Sequence, residues 1–248
     1  MTYSIVAKDP VTGEVAIAVA SRFFACGAIV PFAARDVAVA SQAFCNPLWG
    51  LEGRTRLANG EPAGDVLADF VARDDGQSIR QAHMIDRHGT VAAHTGAECV
   101  DWAGHRSVEG VSVAGNMLAG PAVVDATLTA YLDNLDQPLP ERLLRAMEAG
   151  ERAGGDKRGR QAAGLVIHRG EDYPWLDIRA DDHADPLAEL RRLVAVSEER
   201  YTHFAVGLAT KSNFSGLVDR SPIDAAIEQV EAERRENGIP SSSHATEA

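Results

Sequence analysis

The order of short apolar runs and paired helical stretches is the feature that most constrains the fold of this 248-residue chain. Apolar, β-rich runs come first, two helical stretches follow, and the alternation then repeats before a last group of strands. The predicted strands are 3–7, 15–20, 37–41, 81–86, 90–95, 111–114, 162–168 and 175–179. The predicted helices are 47–59, 62–73, 122–135, 139–149, 186–197 and 223–235.

Two pairs of these strands are typical of antiparallel hairpins, because short turns separate them at Asp9-Pro10-Val11-Thr12-Gly13 and at Arg87-His88-Gly89. Paired helices between hairpins favour an α+β fold, a four-layer αββα sandwich of two antiparallel sheets between helical layers. The strand–helix alternation of a doubly wound sheet is missing, and no predicted strand leads into G-x-G-x-x-G. A nucleotide-binding fold is therefore not expected.

Charge and cysteine content narrow the range of functions. The formal net charge is −12, from 24 basic and 36 acidic residues, so neither nucleic acid nor an anionic membrane is an expected partner. No run approaches the roughly 18 apolar residues of a membrane span, and no signal peptide is recognised. The cysteines Cys26, Cys45 and Cys99 are odd in number and widely spaced, as expected of reduced thiols in a cytoplasmic protein. No pair has zinc-site spacing, and we expect neither a metal nor a cofactor.

Thr2 is the first candidate for chemistry, because it stands directly after Met1 and at the start of a predicted core strand. If Met1 is removed, Thr2 carries a hydroxyl and a free α-amine on one residue. An α-amine has an unperturbed pKa near 8, so it can take the hydroxyl proton at neutral pH and make Thr2 its own nucleophile and base.

Short motifs spread from the start of the chain to about residue 194 carry a family resemblance. They are Tyr3-Ser4-Ile5-Val6-Ala7, Ser21-Arg22-Phe23-Phe24, Gln42-Ala43-Phe44, His94-Thr95-Gly96, Trp102-Ala103-Gly104-His105, Gly115-Asn116-Met117-Leu118-Ala119-Gly120, Ala153-Gly154-Gly155-Asp156-Lys157-Arg158-Gly159 and Asp181-Asp182-His183. In this order the motifs resemble the N-terminal nucleophile (Ntn) hydrolases, and more closely their uncharacterised branch, domain of unknown function 1028. The resemblance implies the same sandwich fold and hydrolysis of an amide bond.

The resemblance also implies catalytic roles. Thr2 falls where the nucleophile falls, and Arg35, 33 residues later, falls close to the place of an essential lysine. Asn116 resembles the later turn that supplies a hydroxyl near the amine and is a candidate oxyanion donor, whereas Asp156 resembles the acidic residue that supports the amine. Arginine stays charged and cannot shuttle protons as a neutral lysine can, so it can only orient or stabilise an anion, such as a substrate carboxylate.

A further set of residues is expected to bind the substrate. Its members are Ser21, which replaces a carboxylate of the proteasome-type pattern, Arg22, Gln42, Ala43 and His94. The backbone amide at Ala43 is a second candidate oxyanion donor. The leading hypothesis is thus a cytoplasmic amidohydrolase acting on a small amide or peptide-like compound.

Three alternatives stay open. A non-catalytic small-molecule-binding protein could keep the fold and pocket without the proton relay. Cys26 could instead act as a thiol nucleophile. A metal site could form from dispersed ligand-type residues, which are His94, His105, His183, Asp101, Asp181 and Asp182.

The chain is expected to form one Ntn-like domain over 1–220. An acidic, helical and partly disordered extension is expected over 221–248, because the composition becomes acidic and polar there. Its acidic tail and apolar outer helices favour a homo-oligomer.

Overall fold

A computed structural model describes residues 2–246. The strands are β1 Thr2–Lys8, β2 Val15–Ser21, β3 Pro31–Ala34, β4 Val37–Ala43, β5 Arg80–Ile85, β6 Val91–Thr95, β7 Trp102–Val108, β8 Val111–Leu118, β9 Ala162–His168 and β10 Leu176–Ala180. The α-helices are α1 Cys26–Ile29, α2 Pro47–Ala58, α3 Ala63–Arg73, α4 Pro121–Leu132, α5 Leu139–Arg152, α6 Pro186–Glu199, α7 Tyr201–Ala205 and α8 Ser221–Glu236.

The strands form two antiparallel sheets. The larger sheet has six strands in the order β10-β9-β2-β1-β8-β7, and the smaller has four in the order β3-β4-β5-β6. Strand β1 lies in the middle of the larger sheet, hydrogen-bonded to β2 on one side and to β8 on the other. Its residues are buried up to Ala7 because both faces of the strand are covered, and this explains the near-continuous apolar sequence.

Helices cover the outer face of each sheet. Helices α2 and α3 contact strands of the smaller sheet, α4 and α5 contact strands of the larger sheet, and β1 faces β4 and β5 across the interior. Strand β4 shows how the layers separate: Ala38 and Ala40 belong to the core between the sheets, whereas Val37 and Val39 belong to the core beneath α2 and α3. The predicted αββα sandwich is confirmed.

Two strands escaped the sequence prediction because they are edge strands with weak patterns. Strand β7 is half-buried over Trp102–His105 and exposed beyond, so its sequence lacks a clean alternation. Strand β3 has four residues and begins with proline, which lacks the amide hydrogen of a ladder and is confined to edges.

The chain divides into two compact units, one ending at Leu190 and the other starting at Arg191. In the second unit, Ile223 and Ile227 of α8 are buried, and the Arg234 guanidinium lies 2.7 Å from a carboxylate oxygen of Glu199. The helix predicted over 223–235 is present as α8, and the predicted boundary after residue 220 falls inside this unit. Among the helices of residues 2–246, none combines the length and the hydropathy that crossing a bilayer requires.

Candidate functional site

Thr2 begins the central strand β1, and only 7% of its surface is exposed. The strand register places Thr2 opposite Ser21 of β2 on one side and opposite Asn116 of β8 on the other. The hydroxyl oxygens of Thr2 and Ser21 are 3.1 Å apart, and either hydroxyl can donate this hydrogen bond. Three predicted site residues from distant parts of the sequence therefore meet at one end of the sheet. The predicted removal of Met1 concerns a residue outside the described range.

Asp156 joins the same end of the sheet through backbone contacts. It forms an isolated β-bridge with Leu118, the last residue of β8. One carboxylate oxygen accepts from the backbone N–H of Arg22 at 2.8 Å, and the other accepts from that of Arg158, also at 2.8 Å. Because Arg22 follows Ser21 directly, Asp156 fixes the end of β2 that carries the Ser21 hydroxyl.

A network of buried amides lies behind Asn116. The Gln81 side-chain nitrogen donates to the backbone oxygens of Gly104 at 3.2 Å and Gly115 at 2.9 Å. Carbonyl oxygens only accept, so these two contacts identify which end of the Gln81 amide is nitrogen. Its oxygen accordingly accepts from the amide nitrogens of Gln42 at 2.8 Å and Asn116 at 3.0 Å. The orientation of the Asn116 amide is therefore determined.

The same logic orients the other end of this network. The Gln42 nitrogen also donates to the Ala114 carbonyl at 3.2 Å, and the Gln42 oxygen accepts from the Ser4 hydroxyl at 2.6 Å. Ser4 has one hydroxyl hydrogen, so the contact of 2.8 Å between its oxygen and His83 Nε2 requires the imidazole to donate. Burial lowers the pKa of His83 to about 3, so the ring is neutral with its proton on Nε2.

A cavity of about 300 Å³ borders Asn116. Residues around it include Ala43, Phe44, Ile79, Cys99, Asn116 and Met117. Two of them have left-handed backbones, with φ of 66° at Ala43 and 54° at Met117. Non-glycine residues seldom adopt this conformation, and such strain concentrates at functional sites.

Arg35 does not join the Thr2 group. It lies in the turn between β3 and β4, where its Nε is 2.6 Å from a carboxylate oxygen of Asp172. The next residue, Asp36, accepts from Lys8 at the opposite end of β1 from Thr2, and six residues of extended strand span roughly 20 Å. The resemblance places Arg35 by its distance from Thr2 along the sequence, but α1 and β3 occupy that connection and carry position 35 to the far end of the sandwich.

His94 also lies apart from the Thr2 group. Its neighbour Thr95 accepts from Gln81 between the sheets, so strand alternation turns His94 to the outer face of the smaller sheet. There His94 Nε2 lies 2.9 Å from the backbone oxygen of Gln77, and its ring centroid is 5.8 Å from that of Trp49. The substrate-binding assignment of His94 thus has no geometric support.

Over the part of the chain that it describes, the structure does not assemble a site for either of the two alternative reactions, which use a metal ion or the Cys26 thiol. His94 is on β6, His105 on β7 and His183 beyond β10, and residues 2–246 hold no group of three ligand-type side chains suited to a metal ion. Cys26 is buried, and burial raises the pKa of its thiol to about 12. At neutral pH this thiol is protonated and inert as a nucleophile.

Sequence reasoning missed Ser4, Gln81 and His83, which carry the buried network. Gln81 and His83 are both fully buried, and they stand two residues apart in a strand that was predicted. Polar residues at alternate positions of a core strand share one face, so this spacing was the available signal. It was overlooked because polar residues on alternate positions ordinarily face solvent.

The sequence profile described as "Family of unknown function (DUF1028)" matches residues 2–190, and the chain belongs to this family. The structure is similar to the crystal structure of protein SPO2555 from Silicibacter pomeroyi, described as a DUF1028 protein. That similarity has a TM-score of 0.81 at 29% identity, and it covers 88% of this chain and 99% of the other. No curated protein matches the chain.

Proposed function

We propose that this member of the DUF1028 family is an N-terminal nucleophile hydrolase that cleaves a small amide or peptide-like bond. Thr2 is the nucleophile, exposed as the N-terminal residue when Met1 is removed. The observation that carries the proposal is the position of Thr2: it begins the central strand with its hydroxyl 3.1 Å from that of Ser21. Asn116, its partner across the strand pair, borders a cavity of about 300 Å³.

The reaction follows from the two groups on Thr2. The α-amine takes the hydroxyl proton through a bridging water while the hydroxyl oxygen attacks the substrate carbonyl carbon. The proton then passes to the leaving nitrogen as the C–N bond breaks, which leaves an ester on Thr2. Water hydrolyses this ester, releases the acid and restores the hydroxyl. Ser21 orients the Thr2 hydroxyl in this scheme.

The surrounding residues stabilise the negative charge that develops on the substrate oxygen and position the groups that react. Asn116 gives one N–H to Gln81, and its second N–H is our first candidate for the oxyanion donor, with the Ala43 backbone amide as the alternative. Asp156 acts as a positioning residue, because its carboxylate holds the backbone beside Ser21. Arg35 has no part in the reaction.

A second candidate function is binding of a small molecule without turnover. The observation that favours it is the set of contacts made by the two lysines of residues 2–190: Lys8 donates to the Asp36 backbone oxygen at the opposite end of β1 from Thr2, and Lys157 forms an ion pair with Asp101. A lysine next to Thr2 would favour the free amine and stabilise the anionic intermediate, whereas the contacts of these two lysines are with Asp36 and Asp101.

Intact-mass analysis followed by active-site labelling separates the two functions. For the hydrolase we expect a mass that corresponds to a chain starting at Thr2, and labelling of that residue by a β-lactone. Thr2→Ala abolishes labelling, Thr2→Ser retains it, and Thr90→Ala, which changes an exposed threonine, leaves it unchanged. Quantitative retention of Met1, or labelling of Thr2→Ala equal to that of the wild type, would refute the assignment of Thr2 as the nucleophile.

The remaining parts of the proposal concern location and assembly. Cys26, Cys45 and Cys99 are free thiols, which supports a cytoplasmic protein. Phe23 and Phe24 are exposed apolar side chains, which supports assembly with further copies of the chain, whereas the acidic net charge argues against nucleic acid and membrane partners. Light scattering coupled to size exclusion tests this: a mass above 26.4 kDa is expected, and a monomer would contradict it.

A further inference from the structure

We propose that the cavity beside Asn116 is the subsite for the substrate group adjacent to the scissile amide, and that it selects an uncharged, apolar group of leucine to phenylalanine size. The inference rests on the proposed function for the chemistry that follows binding. The cavity volume of about 300 Å³ lies at the small end of the range for ligand sites, so the cavity suits one side chain better than an extended peptide.

The walls of the cavity are predominantly apolar. Ile79 and Met117 line it, and so do Phe44 and Val100, which are 71% and 58% exposed. Apolar surface left open at a concave site is the surface that a ligand can remove from water, and its burial favours binding. A charged group would have to lose its hydration against the same walls, and the cavity excludes it for that reason.

The Phe44 wall is held in place. The Arg80 guanidinium lies 5.3 Å from the Phe44 ring centroid and donates to the Phe44 backbone oxygen at 2.6 Å. Arg80 is in turn paired with Asp74, at 3.3 Å between Nε and a carboxylate oxygen. The Asp74 carboxylate offsets the positive charge of the guanidinium and so weakens its attraction for an acidic substrate group.

The one carboxylate among the lining residues strengthens the same selection. Glu98 lines the cavity, and its backbone N–H is held by the Ser78 carbonyl at 2.8 Å. A substrate carboxylate would meet like charge there as well as the cost of dehydration. The discrimination is therefore expected to be strongest against acidic groups.

The strained backbone at the cavity is an independent observation. Ala43 ends β4 of the smaller sheet and Met117 stands near the end of β8 of the larger sheet, so each sheet contributes one left-handed residue to the lining. The Met117 backbone N–H donates to the Val100 carbonyl at 3.1 Å, which ties the third wall to β8. These contacts keep the cavity preformed, and preformed sites bind with a smaller ordering cost.

Cys99 provides a direct test, because this half-buried residue lines the cavity and its thiol donates to the Arg80 backbone oxygen at 3.3 Å. Burial raises the pKa of this thiol, and the same holds for Cys45, which is half-buried but lies outside the lining. A ligand in the cavity should therefore slow alkylation of Cys99 and leave Cys45 unchanged. Cys45 is the matched control within the same molecule.

The experiment follows iodoacetamide labelling of each cysteine by peptide mass spectrometry, with wild type and with Thr2→Ala. The probes are N-acetyl-leucinamide, N-acetyl-phenylalaninamide, N-acetyl-glycinamide and the amide of N-acetyl-aspartate. We expect at least threefold slower labelling of Cys99 with the leucine and phenylalanine probes and no change with the other two. The inference would be overturned if the aspartate probe protected Cys99 as well as the leucine and phenylalanine probes do. It would also be overturned if neither the leucine nor the phenylalanine probe protected Cys99.

Because this readout measures binding, it works in Thr2→Ala and does not depend on turnover. If wild-type Thr2 is not labelled but the apolar probes still protect Cys99, the proposed hydrolase function is refuted and the apolar subsite is supported. A Cys99→Trp variant fills the cavity and should cut Thr2 labelling by bulky apolar β-lactones at least tenfold, while labelling by an unsubstituted β-lactone persists. Equal loss with both lactones would contradict the subsite.

Discussion

Replacing Gln81 by methionine tests the buried amide network. Gln81 is fully buried, and its oxygen accepts hydrogen bonds from Gln42 and Asn116 while its nitrogen donates to Gly115. Methionine has a similar size and shape but cannot accept or donate in this way. The substitution therefore removes partners from the network with little change in packed volume, so the loss of stability reports on hydrogen bonding.

The magnitude follows from the partners left behind. Asn116 loses its acceptor and the Gly115 carbonyl loses a donor, whereas Gln42 keeps its bond to Ala114. Thr95 and Gly104 also lose the Gln81 donor, but Thr95 keeps its contact with His105 and Gly104 is only half-buried, so two fully buried groups are left without this partner. Each buried polar group without a partner costs about 1–3 kcal/mol, so two of them predict a loss of about 2–6 kcal/mol in the free energy of unfolding. At 2–4 °C per kcal/mol, the melting temperature should fall by roughly 4–24 °C.

Urea unfolding followed by circular dichroism measures this loss at pH 7. Gln137→Met is the matched control, because the half-buried Gln137 side chain donates to its neighbour Asp136 in an exposed hydrogen bond. The control should stay within about 0.5 kcal/mol of wild type. A Gln81→Met protein as stable as the control would refute the assigned hydrogen bonds and with them the deduced orientation of Asn116.

Three further predictions concern charge and the nucleophile. His83 has a folded pKa of about 3 against an unfolded value of 6.5, so the unfolded chain alone binds the proton between these values. The contribution of neutral His83 to stability is complete above pH 6.5 and is lost by about 1.4 kcal/mol per pH unit as the pH falls toward 3. His83→Gln should flatten this slope in urea titrations from pH 7 to 4. Arg142 pairs with Asp9 at 2.9 Å in a buried site, so Arg142→Met should cost about 3–5 kcal/mol of unfolding free energy, whereas Arg145→Met, on the exposed face of the same helix, should cost under about 1 kcal/mol. Ser21→Ala removes the hydrogen bond to Thr2 and should slow β-lactone labelling of Thr2 roughly 2- to 12-fold, and an unchanged rate would exclude Ser21 from orienting the hydroxyl.

The fold could be predicted because local sequence and global architecture agree. The hairpin turn after Lys8 and the apolar run of β2 are local signals, and paired helices between hairpins leave few ways to cover two sheets. Edge strands such as β7 could not be predicted in the same way, because a strand with one half-exposed face and polar side chains carries no clear period.

Part of the site could be predicted for a related reason. Thr2, Ser21 and Asn116 stand at ends of strands, and the register of the central strands brings those ends together. The positions of Arg35 and His94 could not be predicted from local sequence patterns. They depend on the path of the chain between β2 and β4 and on which face of β6 turns inward. Both depend on pairing between distant strands, which spacing along the chain does not specify.

The place of β1 in the sheet also sets the order in which this end of the molecule can form. Strand β1 is synthesised before both of its neighbours: β2 ends at Ser21, β8 ends only at Leu118, and the bridge from Leu118 to Asp156 forms later still. At 5–20 residues per second, the 97 residues between Ser21 and Leu118 take roughly 5–19 seconds to synthesise. During that interval Thr2 has Ser21 opposite it but not yet Asn116, so the arrangement around the Thr2 hydroxyl is complete only when the third strand joins the sheet.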